Sequence, residues 1–145
     1  MQPYDRFTGQ DYEKTLGSGA STISVADALA LVQRFADVST SRDGVAFAEG
    51  FTEDCLVSYT LRPPLRGRSE VREFFVPRFA GLPDSFRCEK TLRMLNGNVL
   101  GVEYHNSWID PESGQVAHGR GAEFWVMEGQ QIARWDAVYA VALPG

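Results

Sequence analysis

The sequence predicts an α+β domain whose helices come first and whose antiparallel strands come last. Three observations support this prediction: apolar residues recur at helical spacing in the first half, they alternate with a period of two after Phe86, and turn signals separate the alternating segments. Helices followed by consecutive strands are typical of a sheet that is covered on one face by the helices. We expect a pocket on that covered, concave face.

One domain accounts for the periodic part of the chain. Residues 1–22 are polar and aperiodic, which predicts a flexible N-terminal arm, and residues 23–145 contain all the periodic segments. With 145 residues and 43% hydrophobic content, the chain is long enough to bury one core.

The helical half has recognisable start and stop signals. Ser24 and Asp27 form a capping-box-like start for a first helix, and Asp43 and Gly50 bound a short second one. The core-facing positions of the first helix recur at helical spacing: Ala28, Leu31, Val32, Phe35 and Ala36.

A strand and a third helix follow. The strand is expected over Cys55–Leu61, where Pro63 and Pro64 end it. Ser69 is expected to cap the next helix, and Pro77 to kink it or end it early. One face of that helix is apolar and carries Val71, Phe74, Phe75 and Phe79.

Four alternating segments complete the chain, and short turns connect them. The Asn96-Gly97 pair predicts a hairpin with a type I′ turn, and Pro111–Gly114 and Glu128-Gly129 supply the next two turns. The segments therefore form an antiparallel meander over Phe86–Leu95, Val99–Asp110, Val116–Met127 and Ile132–Val141.

Charge and cysteine content exclude several function classes. A net charge of -5 and a pI near 5.0 argue against a nucleic-acid partner, which needs a basic face. No apolar run approaches the roughly 20 residues that span a bilayer, so we expect no membrane partner and a cytoplasmic location. Cys55 and Cys88 lie in strand-like runs without zinc-site spacing, which predicts reduced core thiols, no metal and no cofactor.

The candidate catalytic groups lie in two neighbouring strands. Glu103 and His105 share one face of a strand, and Glu123 lies in the next. Buried charges are costly unless they are paired or used, so this cluster predicts an acid–base site. If Pro111–Gly114 sets a three-residue turn, Glu103 lies opposite Glu123, and two carboxylates so close supply one acid and one base.

The face assignment has an alternative. Both faces of the Glu103 strand carry apolar residues, so we expect helices on one face and a second copy of the chain on the other, which predicts a homodimer through the convex sheet face. With the opposite parity, Glu103 and His105 face solvent or that interface, and Tyr104, Asn106 and Trp108 line the pocket instead.

Aromatic side chains supply the remaining candidates. We expect Tyr59 to support catalysis and Tyr139 to bind substrate, although core phenols are the alternative. Phe35, Trp125 and Trp135 would wall the pocket, although for the two tryptophans a place in the core is the alternative. A group of arginines would hold an anionic substrate at the pocket mouth or form a solvated face: Arg62, Arg66, Arg68 and Arg72.

Four segments between about Ser24 and Leu143 carry a family resemblance through their order and spacing: Leu31–Phe35, Phe51–Asp54, Gly67–Phe75 and Glu128–Asp136. They resemble the nuclear transport factor 2-like superfamily, which includes ketosteroid isomerases, limonene epoxide hydrolases, scytalone dehydratases and SnoaL-like polyketide cyclases. This resemblance implies a cone-shaped barrel of curved antiparallel sheet with a deep pocket, and usually a dimer.

The resemblance supports the fold more strongly than it supports any one activity. The isomerases' phenol and base would fall near Phe35 and Tyr59, and only their second acid has an equivalent carboxyl group, at Glu123. The epoxide hydrolases' central-strand Arg and Asp are replaced by Glu103 and His105. These polar replacements imply altered chemistry in the same pocket.

We therefore predict a cofactor-independent enzyme that isomerises, cyclises or dehydrates a small, largely apolar molecule bearing a carbonyl or hydroxyl group. His105 would be the base, and Glu123 or Glu103 the acid. The alternatives are an epoxide hydrolase, with a carboxylate and His105 activating water, and a non-catalytic module that binds a small ligand.

Overall fold

The computed structural model describes residues 22–60 and 62–142. The described helices are α1 (Val25–Thr40), α2 (Gly44–Glu49) and α3 (Arg68–Ala80). The described strands are β1 (Phe51–Tyr59), β2 (Leu65–Arg66), β3 (Arg87–Asn96), β4 (Val99–Ile109), β5 (Val116–Glu128) and β6 (Gln131–Ala142). Residues 1–21 of the predicted arm and Leu61 lie outside the described residues, so the arm stays a prediction.

The six strands form one curved sheet in the order β2-β1-β6-β5-β4-β3. The predicted α+β class is confirmed, and so is the antiparallel meander of the last four strands. Strands β1 and β6 pair in parallel although they are far apart in the chain, and no local sequence pattern predicts this pairing. The sheet stays open between β2 and β3, so the cone is not a closed barrel.

The first two helices begin as the sequence predicts. The Ser24 hydroxyl accepts a hydrogen bond from the Asp27 amide at 3.1 Å, and the Asp43 carboxylate accepts one from the Ala46 amide at 2.9 Å. Each cap satisfies an amide that the first helical turn leaves unpaired. The caps fix where α1 and α2 enter the layer above the sheet.

In helix α3 the predicted cap is wrong, and of the two effects expected of Pro77 the early end does not occur. It begins at Arg68 after Gly67, whose φ of 85° suits glycine, so Ser69 is not its cap. It also continues past Pro77 to Ala80 rather than ending early. Pro77 is exposed, and water can therefore satisfy the carbonyl that its missing amide leaves unpaired.

The first hairpin turn is displaced by one residue from its predicted position. Asn96 pairs with Val99, which leaves Gly97 and Asn98 as the two turn residues. Gly97 has a φ of 61°, but Asn98 has no positive φ, so the turn is not the predicted type I′. The Asn98 side chain is buried and donates to the Met127 carbonyl at 2.9 Å, which holds it in this position.

The helices cover the concave face of the sheet with an aromatic core. Phe35 lies in contact with Phe47, Phe51 and Trp125, at a centroid distance of 4.9 Å from Trp125. Cys55, in β1, and Cys88, in β3, are free thiols, and both are buried, as predicted. No helix in the described ranges is long and apolar enough to cross a membrane.

Candidate active site

A cavity of about 230 Å³ lies beside this core, between α3 and the concave face of β3 to β6. Pockets for drug-sized ligands are typically about 300–1,000 Å³, so a ligand that fills this cavity is small. Aromatic and aliphatic side chains form most of the wall. Its ionisable groups other than a thiol are Tyr59, Arg78, Lys90, Tyr104, Glu123 and Tyr139.

The strand register brings most of these groups onto one face. Lys90, Tyr104, Gly121 and Tyr139 are successive partners across β3, β4, β5 and β6, and they form one row. Side chains opposite one another in a sheet project from the same face. Because Gly121 lacks a side chain, the Tyr104 ring can lie over it; a Cβ there would be 2.6 Å from the phenol oxygen.

Glu123 and Lys90 form a buried ion pair in the cavity wall. Lys90 Nζ lies 2.6 Å from Glu123 Oε1, and the two side chains are 5% and 2% exposed. Trp125 Nε1 donates to the other carboxylate oxygen at 2.8 Å. These contacts hold the carboxylate in one orientation, and each oxygen keeps a further lone pair for a ligand. In this apolar setting, charge interactions with a ligand are stronger than in water.

Two polar atoms in the cavity wall lack a protein partner. Tyr104 Oη and Asn106 Oδ1 are buried and have no hydrogen bond to any described residue. Burial raises the pKa of the Tyr104 phenol, which keeps it protonated and able to donate. The Lys90 ammonium lies 4.9 Å from the Tyr104 ring centroid. An unpaired buried donor and acceptor are the features with which a site recognises a polar ligand.

A second polar group stands at the edge of the cavity on α3. Arg78 Nη2 donates to the phenol oxygens of Tyr59 and Tyr139, at 3.1 and 3.3 Å. The two phenol rings are stacked, with centroids 5.4 Å apart. Burial, opposed by the Arg78 charge, raises the pKa of Tyr59 to about 12. Tyr59 therefore presents a hydroxyl group near neutral pH.

The structure brings four of the predicted site residues to the cavity: Tyr59, Glu123, Trp135 and Tyr139. Phe35 and Trp125 do not line it. Phe35 is 3% exposed and Trp125 is fully buried, and both belong to the core behind the wall. The core alternative therefore holds for Trp125, which reaches the site only through its bond to Glu123, and Phe35 does not wall the cavity as predicted.

The predicted convergence of Glu103 and His105 with Glu123 is wrong. Ile109 pairs with Val116, so the loop spans residues 110–115, an even number, and the register places Glu103 opposite Ala122 rather than Glu123. A shift of one residue moves a side chain to the other face of the sheet. Glu103 and His105 consequently lie on the convex face, as the alternative parity requires.

Both displaced residues have partners on that convex face. Glu103 accepts hydrogen bonds from Arg120 Nη2 at 2.7 Å and Arg93 Nε at 3.1 Å. The hydrogen bond from Arg120 holds the pKa of Glu103 below its usual range. His105 Nε2 lies 3.1 Å from His118 Nδ1, and the rings are stacked.

Two cationic residues of the cavity were missed by sequence reasoning. Lys90 had a usable signal, because it shares the parity of the apolar residues Cys88 and Leu92 in β3. Arg78 had none, because it lies in the last turn of α3, where basic residues are common for their interaction with the helix dipole.

The match of residues 32–135 to the SnoaL-like domain places the chain in that family. Solved structures support the same fold. A protein with a ketosteroid isomerase-like fold from Catenulispora acidiphila, in complex with trimethylamine, aligns with a TM-score of 0.66 and 14% identity, over 76% of this chain and 85% of that one.

Two further structures are similar to the chain at comparable levels. SalBIII, an epoxide hydrolase/cyclase-like enzyme in pyran ring formation in polyether salinomycin, aligns with a TM-score of 0.65 and 16% identity, over 79% of this chain and 92% of that one. A protein described as a SnoaL-like polyketide cyclase from Jannaschia sp. CCS1 aligns with a TM-score of 0.64 and 15% identity, over 83% and 91%. No curated protein matches significantly. Identities this low show the shared fold.

Proposed function

We propose that the protein is a cofactor-independent acid–base enzyme that isomerises, cyclises or dehydrates a small, largely apolar molecule bearing a carbonyl or hydroxyl group. The observation that carries this proposal is the Glu123 carboxylate fixed beside Lys90 inside an apolar cavity. Lys90 and Trp125 hold the carboxylate in a fixed orientation, and each of its oxygens keeps a lone pair that can accept a proton from a substrate. The neighbouring unpaired phenol of Tyr104 adds a donor for a substrate oxygen.

Glu123 replaces His105 as the base in this proposal. With a β,γ-unsaturated ketone as substrate, Glu123 takes a proton from the carbon between the carbonyl and the C=C bond. The electron pair of that C–H bond forms a new C=C bond, and the π pair of the carbonyl moves onto its oxygen. The Tyr104 hydroxyl and the Lys90 ammonium stabilise the resulting oxyanion. Glu123 then returns the proton to a different carbon, which completes an isomerisation without an outside reagent.

The proposal is tested by following proton exchange from carbon in D₂O. Small ketones such as 3-cyclohexen-1-one and 2-tetralone serve as probes, and NMR measures the loss of the signal beside the carbonyl. The wild-type protein is expected to accelerate exchange. Glu123→Gln should lower the rate by about 10²–10⁴-fold, the usual contribution of a general base.

Glu103→Gln is the matched control, because it makes the same substitution on the other face of the sheet and should leave exchange unchanged. Equal rates for the wild type and Glu123→Gln would contradict the proposal. Probe binding without exchange would favour a ligand-binding module, and incorporation of solvent oxygen into a diol from an epoxide probe would favour the hydrolase alternative.

A further inference from the structure

The positive charges of the cavity exceed its negative charges. Arg78, Lys90 and Glu123 are the charged residues of its described lining, and Lys90 and Glu123 neutralise one another. Arg78 has no carboxylate partner among the described residues. A protein with a net charge of -5 thus has one uncompensated positive charge at its cavity.

Arg78 is held in place by neutral groups, which leaves its charge available. Its Nη2 donates to the phenol oxygens of Tyr59 and Tyr139, and its Cζ lies 5.1 Å from the Tyr59 ring centroid and 5.7 Å from that of Phe74. These contacts orient the guanidinium without neutralising it. Its Nε and Nη1 groups have no hydrogen bond to a described residue.

The two phenols add a donor at the same place. Each accepts a hydrogen bond from Arg78, so each hydroxyl proton is free to be donated elsewhere. The two neighbouring hydroxyl groups interact, and at most one of these protons is shared between them. The other proton has no acceptor among the described residues. A guanidinium and a phenol O–H therefore lie side by side as hydrogen-bond donors, and neither has an acceptor for its free N–H or O–H groups among the described residues.

We propose that Arg78 and the Tyr59–Tyr139 pair bind a carboxylate of the substrate at the edge of the cavity. This inference rests on the proposed function, because it assigns a chemical class to the molecule on which Glu123 would act. The substrate is then a small acid whose apolar part enters the cavity. A carboxylate can accept one hydrogen bond from the free Nε or Nη1 group of Arg78 and one from the phenol, and hydrogen bonds between charged groups are the strong ones.

The test measures binding rather than turnover, so it can fail independently of the catalytic proposal. The probes are 3-phenylpropanoate, 3-phenylpropanamide and 3-phenylpropan-1-amine, which share one apolar group and differ in charge. Titration by NMR at neutral pH should show the acid binding about ten to a hundred times more tightly than the amide, as expected for hydrogen bonds to charged groups. Added salt should reduce the difference.

Variants locate the charge responsible. Arg78→Met should bring the affinity of the acid down to that of the amide and leave the amide affinity unchanged, which also shows that the cavity is intact. Arg78→Lys should retain part of the preference, since it keeps the charge and loses the planar guanidinium that is held by the two phenols. Arg62→Met is the matched control, because Arg62 contacts the same Phe74 ring, with its Cζ 4.5 Å from the centroid, but does not line the cavity.

Equal binding of acid and amide by the wild type, failure of the acid to bind, or an acid preference that survives Arg78→Met would each overturn the proposal. A preference for the amine would do the same. Loss of proton exchange in Glu123→Gln with the acid preference intact would support both proposals separately.

Discussion

Replacing Lys90 with methionine should destabilise the protein strongly, because it leaves the Glu123 carboxylate buried without its counter-ion. The two side chains are 5% and 2% exposed and their charged atoms lie 2.6 Å apart. Unit charges about 4 Å apart at an effective dielectric of about 20 attract by about 4 kcal/mol. Breaking a buried pair by removing one partner typically costs about 3–5 kcal/mol, which we expect for Lys90→Met.

Urea unfolding at one fixed protein concentration measures this loss. With a slope of about 2 kcal/mol per molar urea, the midpoint should fall by about 1.5–2.5 M. The double variant Lys90→Met/Glu123→Gln separates the charge from the packing. Its glutamine oxygen can still accept the hydrogen bond from Trp125 Nε1, and no ion is left unpaired. The double variant should therefore recover at least half of the lost stability.

Arg93→Met provides the control for removing a long cationic side chain from the same strand. Arg93 is 63% exposed on the convex face, where its ion pair with Glu103 is screened by water, so the midpoint should hardly move. If Lys90→Met and the double variant were equally destabilised, the unpaired carboxylate would not be the cause. A shift in Lys90→Met no larger than that in Arg93→Met would refute the reasoning entirely.

Three further predictions follow from other contacts. Gly121→Ala should lower the free energy of unfolding by about 1–3 kcal/mol, because its Cβ would collide with the Val138 carbonyl. Gly119→Ala is the control and should be tolerated, because the nearest contacts of its Cβ would be at 3.6 Å. Thermal melts of the two variants compare their stabilities. Burial raises the pKa of Tyr59 to about 12 from about 10, so between these pH values the folded state keeps a proton that the unfolded chain loses. The free energy of unfolding, measured by urea titration, should therefore fall by about 1–2 kcal/mol as the pH rises from about 10 to about 12. Tyr59→Phe should reduce that fall. We also propose that two copies of the chain form a dimer through their convex faces. Val138 is 63% exposed on that face, so Val138→Glu should give a monomer by light scattering, whereas Val25→Glu, at a residue that is 61% exposed on α1, should remain a dimer. A monomeric wild-type protein would contradict this proposal.

Local signals in the sequence were sufficient for most of the fold. The caps at Ser24 and Asp43 and the period-two strands depend on neighbours close in the chain, and the structure has them. The parallel pairing of β1 with β6 depends on residues more than 70 positions apart, such as Val57 and Trp135, and no local pattern encodes it. The hairpin turn failed for a similar reason, because a distant contact to Met127 holds Asn98.

The site was harder to predict, because both faces of β4 carry apolar residues and parity alone does not say which is inside. The structure shows what separates the two acids. Glu103 has arginines on both neighbouring strands, which satisfy it at the surface, while Glu123 shares the concave face with Lys90, which can reach it diagonally across β4. The decisive sequence feature was therefore the cation rather than the acid. A lysine in phase with the apolar residues of β3, two strands away in the sheet, identifies the carboxylate that is buried, and this supports the choice of Glu123 as the proposed base.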